Sequence, residues 1–414
     1  MWAAFDRANR PGWLVVSGLL LVMIVIHGTI TSALPTLDQA LLAELGISRA
    51  DLKFRESVFL LSSGLSGLAI GFIIRYVPPR AIVLAGMGLL ALVLFLYGRA
   101  RSIGELYALY ALMGPCYASA HVVIVVVLVR RYFVSHRILA TSTALSGTSL
   151  GSAILPGIAV RLNENFGWRG ALDHLMLLPL VMAPLVAWLV FRKPSALAAA
   201  CSEADDSAAR SGAARQAESN RSPTRLLLLS LATFGVFFAS TSFLLNLFLY
   251  MLDIGLTAQV AAAGLSTVFA VGLVSKVLVG AAAERWGLQP VWLCQQWILL
   301  VGAVLLAAAI PGVIFLSLLL IGLGWAGCFV LTQVVIADYF AGPNLAKMTG
   351  AFIVFEAIAS GTGVWTGAFL HDLFGSYDVA FTLNCAMIVM ALFAGTLFAR
   401  ARSRLPAQSD TARA

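Results

Sequence analysis

Charge is what this chain has least of. Asp, Glu, Lys and Arg supply 11% of its 414 residues, where an ordinary soluble domain carries about 25%. Apolar residues reach 60%, so water is excluded as the solvent for most of the surface. Cysteine is also sparse. Cys116, Cys201, Cys294, Cys328 and Cys385 are odd in number and form no C-x-x-C pair, and all but Cys201 lie inside hydrophobic runs. They read as small apolar filler, which excludes a disulfide framework and a thiolate metal site. No Gly-rich loop ends in Lys-Ser or Lys-Thr after a strand, so an ATP-driven pump is excluded for this chain alone. Metal-ligand spacing and catalytic triad patterns are missing too, so no cofactor and no enzymatic activity are implied.

The formal charge of +8 points to nucleic acid only if the basic residues gather on one folded face. Here they fall between apolar stretches. Arg7 and Arg10 precede an apolar run from Trp13 that is too long for a secretory signal and lacks a small-residue cleavage site. It is read as a retained first span.

A helix needs about 20 apolar residues to cross the hydrocarbon core. Hydropathy places crossings near 13–35, 56–75, 81–99, 104–128, 138–160, 170–191, 226–250, 258–282, 289–310, 312–336, 348–370 and 378–399. An even number puts both termini on one side. Most of the 27 Lys and Arg residues fall on that side, which the positive-inside rule makes cytoplasmic, in a cell inner membrane. Lys276 belongs to neither face in this reading. The stretch 193–224, rich in Ala, Ser and Arg, is too polar to offset the entropy of folding and reads as a flexible cytoplasmic linker. It divides the chain into a bundle over 1–192 and another over 225–400, with a cytoplasmic tail over 401–414.

The halves resemble each other at an offset of about 208 positions, as transporter repeats do. Gly71 to Arg80 matches Gly280 to Gly287, Tyr132-Phe133 matches Tyr339-Phe340, and Phe166-Gly167 matches Phe374-Gly375.

These residues resemble the major facilitator superfamily over essentially the whole chain. The carrying pieces are the loop Gly71-Phe-Ile-Ile-Arg-Tyr-Val-Pro-Pro-Arg80, its counterpart Gly280-Ala-Ala-Ala-Glu-Arg-Trp-Gly287, and Arg131-Tyr-Phe through Gly167-Trp-Arg169. The resemblance implies an all-α membrane protein of 12 transmembrane helices in two pseudo-symmetric six-helix bundles, alternating access around a central path. Gly71, Arg80, Gly280, Glu284, Arg285 and Gly287 are the implied gating residues. Arg75 stands where the first loop usually has an acid and Pro78 where it has a second glycine, which leaves Glu284 and Arg285 to supply the charge lock. Within the superfamily, Arg131-Tyr-Phe with Arg137, Ser146-Gly147 with Gly151, and Phe166-Gly-Trp-Arg169 are most similar to the monocarboxylate porter and oxalate/formate antiporter branch. That branch commonly has a cation where Lys276 stands, and some members have an acid where this chain has Gly272.

Ionisable groups inside spans cost at least about 2.5 to 3.5 kcal/mol each and are functional candidates by default. Lys276 shares a helix face with Gly272 and Gly280. It reads either as an anchor for a substrate carboxylate or as the ion-pair partner of Glu356. Glu356 reads as a proton-coupling group or as that same partner. His27 and His121 are substrate contacts or hydrogen-bonded core histidines, with Tyr117 one possible partner. Ser242, Asn246 and Tyr250 recur every four residues as a polar stripe. Of these, Asn246 and Tyr250, with Gln333, are candidate substrate contacts, against interhelical bonding worth only about 0.6 kcal/mol on average. Arg55 and Glu56 read as a solvated rim pair at the start of the second span. The resulting expectation is a monomeric secondary transporter of a small mono- or dicarboxylate, proton-coupled or exchanging it for another anion. Proton-driven efflux of amphipathic or cationic compounds is the first alternative, and a non-transporting membrane sensor or scaffold the second.

Overall fold

The computed structural model describes residues 10–74, 76–120, 122–133, 137–190, 223–308, 312–340 and 345–403. Among these, ten helices are long and apolar enough to cross a membrane. Two features raise the crossings to twelve. The apolar stretch Ala140–Val190 has 51 residues, roughly 77 Å as one helix at 1.5 Å per residue, more than twice the hydrocarbon thickness. Gly167 breaks it with φ 70 and ψ 169, a backbone conformation that a side chain would resist. Spans five and six meet there. Span four comes in two pieces, Ile103–Ser119 and Val122–Tyr132, each short of a full crossing.

The remaining spans are single helices: Arg49–Ile73 (two), Pro79–Tyr97 (three), Pro223–Asp253 (seven), Ala258–Trp286 (eight), Leu288–Ala307 (nine), Ile314–Tyr339 (ten), Leu345–Phe374 (eleven) and Asp378–Ser403 (twelve). Their starts carry the expected chemistry. Ser48 caps span two by accepting from the Asp51 amide at 3.0 Å, and Thr257 accepts from Val260 at the start of span eight.

Span one departs from the hydropathy reading. Instead of ending at 35, it runs from Arg10 to Leu45 through a π segment, Thr29–Ala33, and a 3-10 segment, Leu34–Leu37. Pro35 has no amide to donate, so the regular ladder cannot continue through it and the helix repairs itself with other spacings. Span two likewise begins at Arg49 and not at 56. Asp38, Lys53, Arg55 and Glu56 are therefore carried inside the helical body.

Each half packs around its own apolar core. Buried side chains from Val15 to Val190 form one cluster, and those of spans seven to twelve form two, with Val160 of span five reaching across into the first of them. Small residues set the helix spacing. A Cβ on Gly151 would stand 2.3 Å from the Ile24 carbonyl oxygen and one on Gly147 would stand 2.4 Å from that of Leu20, so spans five and one approach backbone to backbone. Of the proposed linker only 223 and 224 lie among the described residues, and the tail beyond 403 lies outside them.

Candidate functional site

Lys276 sits half-buried in the middle of span eight. Its Nζ donates to Ser149 Oγ at 2.9 Å and to Thr148 Oγ1 at 3.2 Å, both on span five of the opposite half. Gly147 and Gly151 turn one face of span five onto span one, which aims the 148–149 side of the helix at the other bundle. The Thr148 hydroxyl donates its own proton to the Leu145 carbonyl at 2.9 Å, leaving lone pairs for the ammonium. Beneath the nitrogen lie the rings of Trp325, 5.4 Å away, and Phe329, 5.8 Å away, within the range of cation–π attraction. Gly272 makes that possible, since a Cβ there would meet the Trp325 ring at 3.3 Å.

The ion pair between Lys276 and Glu356 that the sequence left open is not formed. Glu356 is 6% exposed and takes both its bonds from Gln333 Nε2, at 2.8 Å to each oxygen. Trp325, Phe329 and Gln333 recur at four-residue spacing and share one face of span ten. The ammonium and the carboxylate thus line one stripe, about one to two helical turns apart, at the junction of the two halves.

Other predicted contacts fall elsewhere. Asn246 is fully buried, and its Nδ2 donates to the Ser242 carbonyl at 3.0 Å and to the Val364 carbonyl at 3.2 Å. Ser242 Oγ accepts from Asn384 at 3.1 Å, and the Tyr250 hydroxyl points to the Leu306 carbonyl at 3.4 Å. These groups join spans seven, nine, eleven and twelve and do not gather around Lys276. His27 is buried in span one, its ring centroid 4.0 Å from that of Tyr117. His121 lies outside the described residues, as does Arg75.

The rim reading of Arg55 and Glu56 is corrected: both are fully buried, as are Lys53 and Asp38. Lys276 is consequently not the only cation belonging to neither face. Asp38 holds Lys53 Nζ at 2.6 Å and also pairs with Arg55, which donates to the Tyr97 hydroxyl at 2.5 Å and lies over the Tyr110 ring. Glu56 Oε1 is 3.6 Å from the Arg55 guanidinium. What sets Lys276 apart is that, among the described residues, hydroxyls and aromatic faces, and no carboxylate, hold it.

On the face opposite the termini the halves are tied together by one side of span two. Arg49 makes a two-pronged pair with Asp253 at 2.5 and 2.6 Å, Lys53 donates to the Leu245 carbonyl, and Ser57 donates to the Gly361 carbonyl at 2.7 Å. Residues 49, 53 and 57 fall on one helix face by their spacing. On the face of the termini, Gly71, Gly280, Glu284, Arg285 and Gly287 are exposed, and Glu284 and Arg285 make no ion pair among the described residues. Gly287, with φ 91, turns the chain out of span eight. Arg80 donates to the Tyr132 hydroxyl within its own half.

Residues 19–275 and 229–414 each match the family model described as Major Facilitator Superfamily. No curated protein matches the chain. Among solved structures, a bacterial homolog of the human lysosomal transporter Spinster, in an inward-facing and occupied conformation, superposes with TM-score 0.74 at 14% identity, covering 97% of this chain and 98% of that one. The nucleoside transporter NupG, in a mutant form, superposes with TM-score 0.68 at 13% identity over 94% of this chain and 99% of its own.

Proposed function

Because this chain belongs to the Major Facilitator Superfamily and is a multi-pass membrane transporter with an alternating-access fold, we propose that its cargo is a small organic anion bound through a carboxylate at Lys276. The observation that carries the reading is an ammonium at the seam of the two halves whose partners among the described residues are all neutral. Hydroxyls give way to a carboxylate readily, because a carboxylate adds the attraction of opposite charges, which is larger at a half-buried site than in water, to the hydrogen bond that a hydroxyl already makes. A substrate carboxylate would bridge Lys276 of one half and Thr148 and Ser149 of the other, so its arrival draws the bundles together. Trp325 and Phe329 would floor the apolar part of the molecule. Glu356, aligned on the same stripe through Gln333, would carry the proton that accompanies the anion, or an anion on the opposite limb would take its place. The similarity of the sequence to the monocarboxylate porter branch supports this class, and the bias of positive loops supports an inner-membrane setting with both termini cytoplasmic.

The test is binding followed by transport. Purified protein is screened by thermal shift against a panel of mono- and dicarboxylates, neutral nucleosides and amphipathic cations, since a ligand bound only by the folded state raises the melting temperature. The best ligand then enters counterflow assays in proteoliposomes. Lys276→Gln should lower affinity for a carboxylate by about 2 kcal/mol or more, roughly 30-fold, with insertion unchanged. Stabilisation by cations or nucleosides alone, or undiminished carboxylate transport by the variant, overturns the anion assignment.

A further inference from the structure

Spans one and seven are enclosed by their neighbours, and each keeps one face partly open. Through 22–38 every residue is buried except Ile24 and Thr31, and through 232–248 every residue is buried except Phe234 and Thr241. The members of each couple are two helical turns apart and so share one face. The couples correspond at nearly the offset that relates the two halves, so equivalent faces are open in both, as in helices that border a central path. The hydroxyls on those faces are paired. Thr31 Oγ1 lies 3.4 Å from Ser152 Oγ of span five, and Thr241 donates to Ser360 Oγ of span eleven at 3.0 Å. Ser152 and Ser360 are themselves equivalent positions, so each half contributes one hydroxyl pair of the same make. Thr31 sits in the π segment Thr29–Ala33, a spacing found mostly at functional sites.

Both pairs lie about one turn beyond the charged groups of the candidate site. Ser152 shares a face of span five with Thr148 and Ser149 and follows Ser149 by three residues, about 4.5 Å along the axis. Ser360 follows Glu356 by four residues on span eleven. Both spans run away from the face of the termini, so the pairs stand on the far side of Lys276 and Glu356. The closed seam lies directly against them, where Ser57 donates to the Gly361 carbonyl at 2.7 Å. Their hydrogen-bonding capacity is only partly used. Thr31 gives its proton to the His27 carbonyl at 2.7 Å. Toward Ser32, 3.3 Å away, and Ser152 it can therefore only accept, over contacts longer than an ordinary O–H···O bond. Ser360 accepts from Thr241, and among the described residues its own proton has no acceptor. No charged side chain among them bonds to any of the four hydroxyls.

We propose that these hydroxyls form a second subsite, which takes an uncharged oxygen, hydroxyl or carbonyl, on the third or fourth carbon of the cargo. This rests on the reading of Lys276 as the carboxylate anchor. With the carboxylate held there, the step of about one turn sets how far along the molecule the second oxygen lies. The lack of a cation sets its charge. A second carboxylate would leave water with hydroxyls alone to hold it, whereas a hydroxyl or carbonyl exchanges its hydrogen bonds for equivalent ones with the two serines and two threonines. The cargo class narrows to monocarboxylates with a polar tail, and plain alkyl acids and dicarboxylates bind less well.

Acids of equal length separate the subsite from the anchor. Butanoate, its 2-, 3- and 4-hydroxy derivatives and succinate are titrated calorimetrically into the purified full chain. The wild type should bind 3- or 4-hydroxybutanoate about tenfold more tightly than butanoate, 2-hydroxybutanoate or succinate. Thr31→Val combined with Thr241→Val keeps the side-chain shapes and removes the hydroxyls, so that ratio should fall to within about twofold. Each single variant should narrow it in part, and melting without ligand checks that the variants fold. Equal binding of all five acids, each weakened by Lys276→Gln, overturns the subsite and leaves the anchor standing. So does a preference for succinate, or one for the hydroxy acids that survives in the double variant. No binding by any of the five, or binding that Lys276→Gln leaves intact, defeats the anchor and the subsite with it.

Discussion

Two lysines in this chain carry the same charge under different terms. Lys53 is fully buried and shares Asp38 with Arg55, so its charge is neutralised by the protein itself. Lys276 is half-buried and has, among the described residues, only hydroxyl oxygens and ring faces. A buried ion pair adds little net stability, yet removing one partner strands the other, at about 3 to 5 kcal/mol. Asp38→Asn takes away the carboxylate that holds Lys53 and leaves Arg55 with Glu56, 3.6 Å away. It should therefore destabilise the N-terminal bundle by about that amount, read as a loss of folded yield or a large fall in melting temperature. Lys276→Gln strands no carboxylate and should leave the melting temperature of the ligand-free protein near that of the wild type. The pair of measurements separates a structural charge from one kept for a ligand.

Among the elements, spans one and five form the platform that aims Thr148 and Ser149. Their backbones touch at Gly147 and Gly151, where a side chain would collide with the carbonyls of Leu20 and Ile24. Gly151→Leu forces the helices apart. It should lower stability by about 1 to 3 kcal/mol and weaken binding at Lys276 without touching the ligand, seen as a smaller thermal shift at saturating carboxylate. The existence of the spans was legible in hydropathy, because nothing but a membrane suits so many long apolar runs. Their ends were not. A hydropathy window discounts charge, so it stopped span one at 35 and opened span two at 56, setting Asp38, Lys53 and Arg55 outside the helices that bury them. Lys276 stood out for the opposite reason, having apolar sequence on both sides. Its hydroxyl and aromatic partners did not, since they come from spans five and ten and no local pattern pairs them with span eight.

At the scale of the whole molecule, the transporter alternates between two closures, one on each face. The structure has one of them: Arg49, Lys53 and Ser57 of span two bond the C-terminal half on the face away from the termini, while the charged motif at the end of span eight, Glu284-Arg285, is exposed. When two states compete, weakening the contacts of one populates the other, by no more than the free energy those contacts supply. Arg49 and Asp253 are both partly exposed, at 18% and 33% of their side chains, which limits the pair to about 1 kcal/mol, a roughly fivefold shift. Arg49→Ala should thus raise, by about that factor, the rate at which a cysteine placed at Ser57 reacts with a membrane-impermeant thiol reagent added to that face. Glu284 is idle in this structure, and on the proposal that it belongs to the opposite closure, Glu284→Gln should lower the same rate. The two sites lie at opposite ends of the molecule and share no partner, so in the double variant their free energies should add and bring labelling back toward the wild-type value. A double variant that labels as fast as Arg49→Ala alone would mean that Glu284 and Arg285 hold nothing in the other state, and that the closure of that face is made elsewhere.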